Sequence, residues 1–302
     1  MSSAITGILS FITRLVARLP LSSALAFGRA AGWFYGSVIR YHRKDAVATL
    51  TRSFPDKPPA EIRSILERMY RNLGMNLAEL SRFATAPDSY FHDHIAWEGE
   101  EHIREALARG RGVLILTGHL GNWDLACTAF PRFGHPTTII TKEIKNKAVS
   151  DYWMGLRARF GLKFLPKQNS YRKCLAVLKK NEVIGFILDQ NMTRDEGIFV
   201  DFFGKPACTT PGLAFMSAHS GAPVVPVFII REEGGRHWMK VLPLIEPPPD
   251  REPETIRRFT QQYTRIIEDM IRQYPDQWTW IHRRWRTFPL PGDAYKPAVA
   301  GE

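Results

Sequence analysis

The chain has 302 residues, of which 44% are hydrophobic and 24% charged, and a formal net charge of +11. That balance excludes a disordered chain and is enough for one large core or two modest domains. Cys127, Cys174 and Cys208 stand too far apart for a disulfide framework or paired zinc ligands, which points to a reducing compartment.

The excess positive charge attracts nucleic acid, anionic lipid or an acidic carrier protein alike, so its placement matters more than its size. Residues 1–50 carry Arg14, Arg18, Arg29, Arg40, Arg43 and Lys44 against the acid Asp45, in a stretch otherwise rich in Leu, Ile, Val, Phe, Ala and Trp. Apolar segments punctuated by arginines suit helices lying at an anionic membrane surface. The uncharged runs Met1–Thr13, Pro20–Gly28 and Ala30–Ile39 each fall short of the roughly 18–20 residues wanted for a span. A span with a snorkelling Arg14 or Arg18, and a plain buried helix pair, are the alternatives. No positive charge precedes the first apolar run, so a cleaved signal peptide is not expected.

Pro55, Pro58 and Pro59 close this region. A helix is then expected over Ala60–Phe83, where Ile62, Ile65, Leu66, Met69, Leu73, Leu77 and Leu80 recur at three- and four-residue steps. Gly99–Arg109 reads as a second helix. Val113–Thr117 is a continuous apolar run, as expected of a strand covered on both faces. Trp123–Phe130 resumes helical character, Thr137–Thr141 is a strand, and a basic, partly helical segment covers Lys142–Phe160. Then come a helix at Tyr171–Lys179, a buried strand at Val183–Leu188, a helix at Thr210–Ser220, strands at Val224–Ile230 and His237–Leu244, and a long helix at Glu254–Arg272. This alternation gives an α/β fold with a central sheet flanked by helices. The short Arg231–Arg236 connection suits a hairpin and makes the sheet mixed.

The segment Thr117–Asp124 holds the candidate chemistry, because it lies where a buried strand turns into a helix. In one continuous helix Asp124 would lie about 140° around from His119. With His119 in the turn before the helix, Asp124 can instead accept a hydrogen bond from one ring nitrogen and leave the other basic. No serine or cysteine stands in a nucleophile elbow, so a substrate hydroxyl is the simplest nucleophile, with His119 as its base. The plain alternative is a satisfied buried histidine beside two capping residues, Asn122 and Asp124.

Asp189, at the end of the Val183–Leu188 strand with Gln190 after it, can orient substrate or an arginine, or merely satisfy backbone donors. Gly197–Gly204 can wall an acyl slot or simply pack. Thr209–Gly212 can meet a phosphate or an oxyanion, or cap the helix that follows. Trp280–Trp285, with His282, Arg283 and Arg284, suits a lipid headgroup or the closing of the core. His92 and His94 have no third ligand at a useful spacing, so no metal is expected.

Several of these blocks together resemble a known family. Gly110–Asp124 is similar to the His-x-x-x-x-Asp/Glu motif region of the glycerolipid acyltransferase superfamily, and in particular of its lipid A biosynthesis branch, the late lauroyl/myristoyl acyltransferases. Ser53–Pro55, Asp189-Gln190, Gly197–Gly204, Ala222–Pro226 and Trp280–Trp285 follow in the family's order, over roughly Val47–Pro289. The resemblance implies a glycerolipid-acyltransferase-like fold, with a membrane-associating helical region at 1–59 and an α/β acyltransferase domain at 60–302. It implies transfer of a fatty acyl chain from acyl carrier protein or coenzyme A to a hydroxyl of an amphipathic lipid acceptor, with no tightly bound cofactor. It also implies a place on the cytoplasmic face of the inner membrane, against an anionic surface; no nucleic-acid partner is expected. His119 and Asp124 match the family's catalytic pair. The family also places a substrate-contacting arginine in the basic stretch, where Arg159 is the preferred match and Arg157 the rival. Asn146, beside Lys145, is a candidate for the acceptor groove, and Asp189 for the active site. The branch usually has Glu where this chain has Asp124 and often Asn where it has Thr49, which leaves a lysophospholipid, ornithine lipid or other glycolipid as alternative acceptors.

Overall fold

The computed structural model describes residues 2–141 and 146–293. Lys142 and Lys145, part of the expected basic stretch, lie outside the described residues.

Three helices lead the chain: α1 (Ser2–Arg18), α2 (Leu21–Phe34) and α3 (Arg43–Ser53), with one π-turn at Tyr35–Ile39. They pack on α4 (Pro59–Arg82), whose apolar stripe buries Ile62, Ile65, Leu66, Met69 and Leu80. Gly28 and Gly32 of α2 meet Gly74 of α4 backbone to backbone, where a Cβ on any of the three would collide with main-chain atoms. The leading helices are therefore docked tightly on α4. Its outer surface stays apolar: Ile8, Phe11, Ile12 and Leu15 of α1 and Phe27, Trp33 and Phe34 of α2 are exposed. Among the described residues no helix is long and apolar enough to cross a membrane, so the span considered above is not formed by them.

The α/β part runs α5 (Tyr90–His94), β1 (Ile95–Glu98), α6 (Glu101–Ala108), β2 (Val113–Thr117), α7 (Trp123–Arg132), β3 (Thr137–Thr141), α8 (Lys147–Ala158), β4 (Lys163–Pro166), α9 (Tyr171–Leu178), β5 (Val183–Ile187), β6 (Ile198–Asp201), β7 (Pro206–Thr209), α10 (Gly212–Ser220), β8 (Val224–Arg231), β9 (His237–Val241) and α11 (Pro253–Gln273). Seven strands form one sheet in the order β1-β9-β8-β2-β5-β3-β4. It is mixed, as expected: β8 and β9 pair antiparallel, and β2, β3, β4, β5 and β8 run parallel. The strands at β1 and β4 and the β6–β7 hairpin were not anticipated. Each is only four residues long, too short to establish a period.

One face of the sheet is covered by apolar side chains of α9, α10 and α11, the other by those of α5, α6, α7 and α8. The long α4 contributes to both layers, with Ile62–Tyr70 on the first and Leu80 on the second. Phe199, Phe202 and Phe203, considered for an acyl slot, are buried; Phe202 and Phe203 pack on Trp278, Trp280 and Trp285 as core.

Candidate active site

The central pair β2–β5 positions the site. Thr117 pairs with Ile187 in parallel register, so both chains leave the sheet at the same level. His119 and Asp189 each stand two residues further on, side by side at the carboxyl edge. His119 Nδ1 lies 2.8 Å from Asp189 Oδ1, and the His119 backbone N–H donates to Oδ2 at 2.6 Å. Trp278, fully buried, donates its indole N–H to the same Oδ2 at 2.7 Å. The carboxylate is 1% exposed and the imidazole 13%, so one partner is sealed and the other can be reached from outside.

The electrostatics follow from this packing. Burial alone would raise the Asp189 pKa, but the charge and hydrogen bonds of His119 hold it well below the usual carboxylate range. Burial would likewise lower the His119 pKa, yet the Asp189 charge and hydrogen bond, with the more distant Asp124 charge, leave it above 6.5. The ring of His282 stands 5.0 Å from that of His119, centre to centre. Burial and then the neighbouring His119 charge push the His282 pKa down, so the second imidazole stays neutral beside the first.

The expected hydrogen bond from the His119 ring to Asp124 is not formed. The carboxylate hydrogen-bonded to the His119 ring is Asp189. Asn122 caps α7 by accepting from Leu125 N at 3.1 Å, and Asp124, one residue into the helix, turns toward α8. There Arg157 Nε donates to Asp124 Oδ1 at 2.7 Å and its Nη2 lies 2.6 Å from the same oxygen. Of the two candidate arginines, Arg157 is the one paired with Asp124, whose charge reaches His119. Arg159, the preferred residue, faces away: it donates to Phe83 O at 2.6 Å and Ala86 O at 3.3 Å, tying down the end of α4. Two residues on a helix differ by about 200° in direction, which is why the choice between them mattered. Asn146 caps α8 by accepting from Val149 N at 3.2 Å.

The turn itself rests on a buried polar network. Gly121 adopts φ +60°, a conformation open to glycine, while its N–H donates to Gln277 O at 2.9 Å and its carbonyl accepts from Asn76 Nδ2 at 2.7 Å. Asn76 Oδ1 in turn accepts from Arg231 Nη2 at 2.6 Å. Glu79, 1% exposed, receives Arg231 through both terminal nitrogens (2.7 and 2.6 Å), sits 3.0 Å from His237 Nε2, and accepts from Asn122 Nδ2. Burial alone would raise the Glu79 pKa, but His237 and Arg231 hold it well below the carboxylate range. None of Asn76, Glu79, Arg231 or Trp278 was picked out from the sequence. Asn76 and Glu79 carried a readable sign, since they interrupt the apolar stripe of α4 one turn apart. Trp278 carried none.

The remaining candidates resolve toward structure. Arg284 is buried and donates to Cys208 O at 2.8 Å and to Thr209 Oγ1, and Trp280 is fully buried with its N–H on Pro275 O at 2.6 Å. Within this block Trp280 and Arg284 close the core, while Arg283 stays exposed beside Asp45 and His282 stands against His119. Thr210 Oγ1 accepts from Gly212 N at 3.2 Å, a local turn contact just ahead of α10, whose N-cap is Pro211.

A histidine with one nitrogen held by a buried carboxylate and the other reachable has the geometry of a general base. The model of the family described as bacterial lipid A biosynthesis acyltransferase matches residues 2–287. The chain belongs to that family. It is a fatty acyltransferase. Among relatives, a lipid A biosynthesis acyltransferase of Haemophilus influenzae is 25% identical over 94% of this chain and 88% of its own length. A lipid A biosynthesis lauroyltransferase of Escherichia coli is 26% identical over 91% of this chain and 89% of its own. A phosphatidylinositol mannoside acyltransferase of Mycolicibacterium smegmatis is 26% identical over 90% of this chain and 95% of its own. The family model begins at residue 2, so the helical N-terminal region lies within the stretch that it matches.

Proposed function

We propose that this acyltransferase moves a fatty acyl chain from the thioester of acyl carrier protein or coenzyme A to a hydroxyl of a lipid A precursor, at the cytoplasmic face of the inner membrane. The observation that carries the reading is the His119–Asp189 pair, with Nδ1 fixed and Nε2 beside the exposed Gln190, 3.4 Å away. His119 Nε2 takes the hydroxyl proton as the oxygen attacks the thioester carbonyl. A C–O bond forms, the tetrahedral oxyanion collapses, the C–S bond breaks, and the imidazolium returns the proton to the departing thiolate. An ester and a free thiol result, with His119 neutral again. Asp189 holds the tautomer and stabilises the imidazolium, as the orienting acid of a triad does. The Asp124–Arg157 pair borders the acceptor path, where the guanidinium can meet a phosphate.

A glycolipid outside the lipid A series is the second acceptor reading. It is favoured by the similarity to the phosphatidylinositol mannoside enzyme and by Asp124 at a position where lipid A enzymes usually carry Glu. Purified enzyme incubated with a panel of defined acceptors and both donors, with products identified by mass spectrometry, separates the two. Acylation of the lipid A precursor that disappears in His119→Ala supports the first reading. Full activity in His119→Ala removes His119 from the chemistry.

A further inference from the structure

A cavity of about 680 Å³ opens on the α9–α10 side of the sheet and reaches Gln190, the residue beside His119 Nε2. Its lining alternates apolar side chains (Ile140, Phe186, Leu188) with amide and hydroxyl groups (Gln190, Thr193, Thr210). Arg286 stands at its mouth and also lines a second cleft of about 520 Å³, together with Arg52, Lys205 and Arg283. Asp45 of that cleft is already engaged by Arg283 at 3.2 Å and by His42. Glu196 of the cavity is neutralised by Lys167 at 2.7 Å. Lys205 is crowded: burial and then the nearby Arg52 charge push its pKa below the usual lysine range. The junction between cavity and cleft thus gathers cations with little to balance them.

The opposite flank of His119 is differently made. There α7 and α8 carry Asp124 and Arg157, and α8 touches the exposed apolar helix α1 through Tyr152 and Thr13. A lipid acceptor arriving along the apolar helices meets His119 from that flank. The α9–α10 flank is left for the water-soluble substrate.

We propose that this cavity receives the phosphopantetheine arm of the acyl donor, with its phosphate held at Arg286 and the basic cleft and its thioester delivered past Gln190 to His119. The inference rests on the thioester-dependent reading above and assigns its donor side. The arm is amphipathic, with two amides, a geminal dimethyl group and a phosphate, and the mixed lining with a cationic mouth suits such a molecule. Acyl carrier protein and coenzyme A share this arm, so both must use the cavity.

Two variants outside the catalytic pair test it: Arg286→Glu at the mouth and Ile140→Trp, which narrows the channel from a partly buried position. With acyl-coenzyme A and with acylated carrier protein, each variant should raise the donor KM about tenfold, leaving acceptor KM and the thermal midpoint near wild type. A separate titration of coenzyme A alone should show weaker binding to both variants than to wild type. That readout needs no turnover, so an enzyme that binds coenzyme A in this cavity yet transfers nothing would defeat the thioester reading and leave the site standing. Unchanged donor KM and unchanged coenzyme A binding in both variants overturn the proposal, as does a rise confined to the acceptor KM.

Discussion

Asp189 grips His119 at two points, the ring Nδ1 at 2.8 Å and the backbone N–H at 2.6 Å, so one carboxylate fixes both the orientation of the imidazole and the path of the chain that carries it. Neighbouring parallel strands cut at the same register are enough to produce the pairing. The third donor, Trp278, adds a hydrogen bond to the buried carboxylate, which stays ionised.

Asp189→Asn tests that relationship through pH. The carboxylate raises the His119 pKa above the ordinary imidazole range, so transfer should rise as pH climbs through that raised pKa and level off once the ring is neutral. Removing the negative charge lowers the pKa, which moves the acid limb toward lower pH. The plateau should fall by about two to four orders of magnitude, as the amide no longer enforces the tautomer or stabilises the imidazolium. A pH profile of kcat/KM whose acid limb stays in place would show that Asp189 does not govern this proton.

Arg157 and Arg159 should separate cleanly. Arg157→Ala frees Asp124 and should lower kcat/KM about tenfold or more, with little change in melting temperature, since the pair is partly exposed. Arg159→Ala strips two carbonyls at the end of α4 of their donor and should cost about 1–3 kcal/mol. Its kcat/KM should remain within about twofold of wild type below the unfolding range. Kinetics and thermal melts on the two variants check both halves, and an exchange of phenotypes would restore the sequence-based preference.

Much of the sheet could be read from the sequence, because its central strands are continuous apolar runs and Val113–Thr117 and Thr137–Thr141 fall where expected. His119 and Asp189 could also be found, each by its place after such a run. Their partnership could not, since it depends on which strands are neighbours, and β2 and β5 are separated in the chain by β3 and β4. The local motif instead points to Asp124, five residues from His119, and only the capping of α7 by Asn122 shows why that carboxylate turns to Arg157. The same holds for Glu79 and Arg231, which meet across 152 residues of chain.

Glu79→Gln should destabilise the protein by about 3–5 kcal/mol, the usual result of leaving one member of a buried ion pair behind. Arg231 would keep its burial and lose its counter-charge. The wild-type contribution is complete above the unfolded carboxylate pKa of about 4.3 and is lost as pH falls toward the depressed folded value. Denaturant midpoints measured from pH 7 downward should therefore show a gap between wild type and variant that narrows in acid. Because Asn122 and Gly121 hang on the same network, kcat should fall in the folded variant as well. A gap that stays constant through acid pH would mean that Glu79 charge is not the source of the stability.

The apolar face of α1 offers the last test. Phe11 and Leu15 lie one turn apart and are 70% and 55% exposed. Single exposed apolar side chains need no explanation, but a run of them flanked by Arg14 and Arg18 is the arrangement that binds an anionic bilayer. Replacing both with aspartate removes apolar contact and adds repulsion, while disturbing no buried neighbour. The double variant should no longer float with vesicles containing anionic phospholipid, whereas the wild type does and is released by high salt only in part. In detergent micelles, where acceptor reaches the enzyme without a bilayer, its kcat/KM should stay within about twofold of wild type. Undiminished flotation would place the membrane contact elsewhere, with α2 and its Phe27 and Trp33 the next surface to alter.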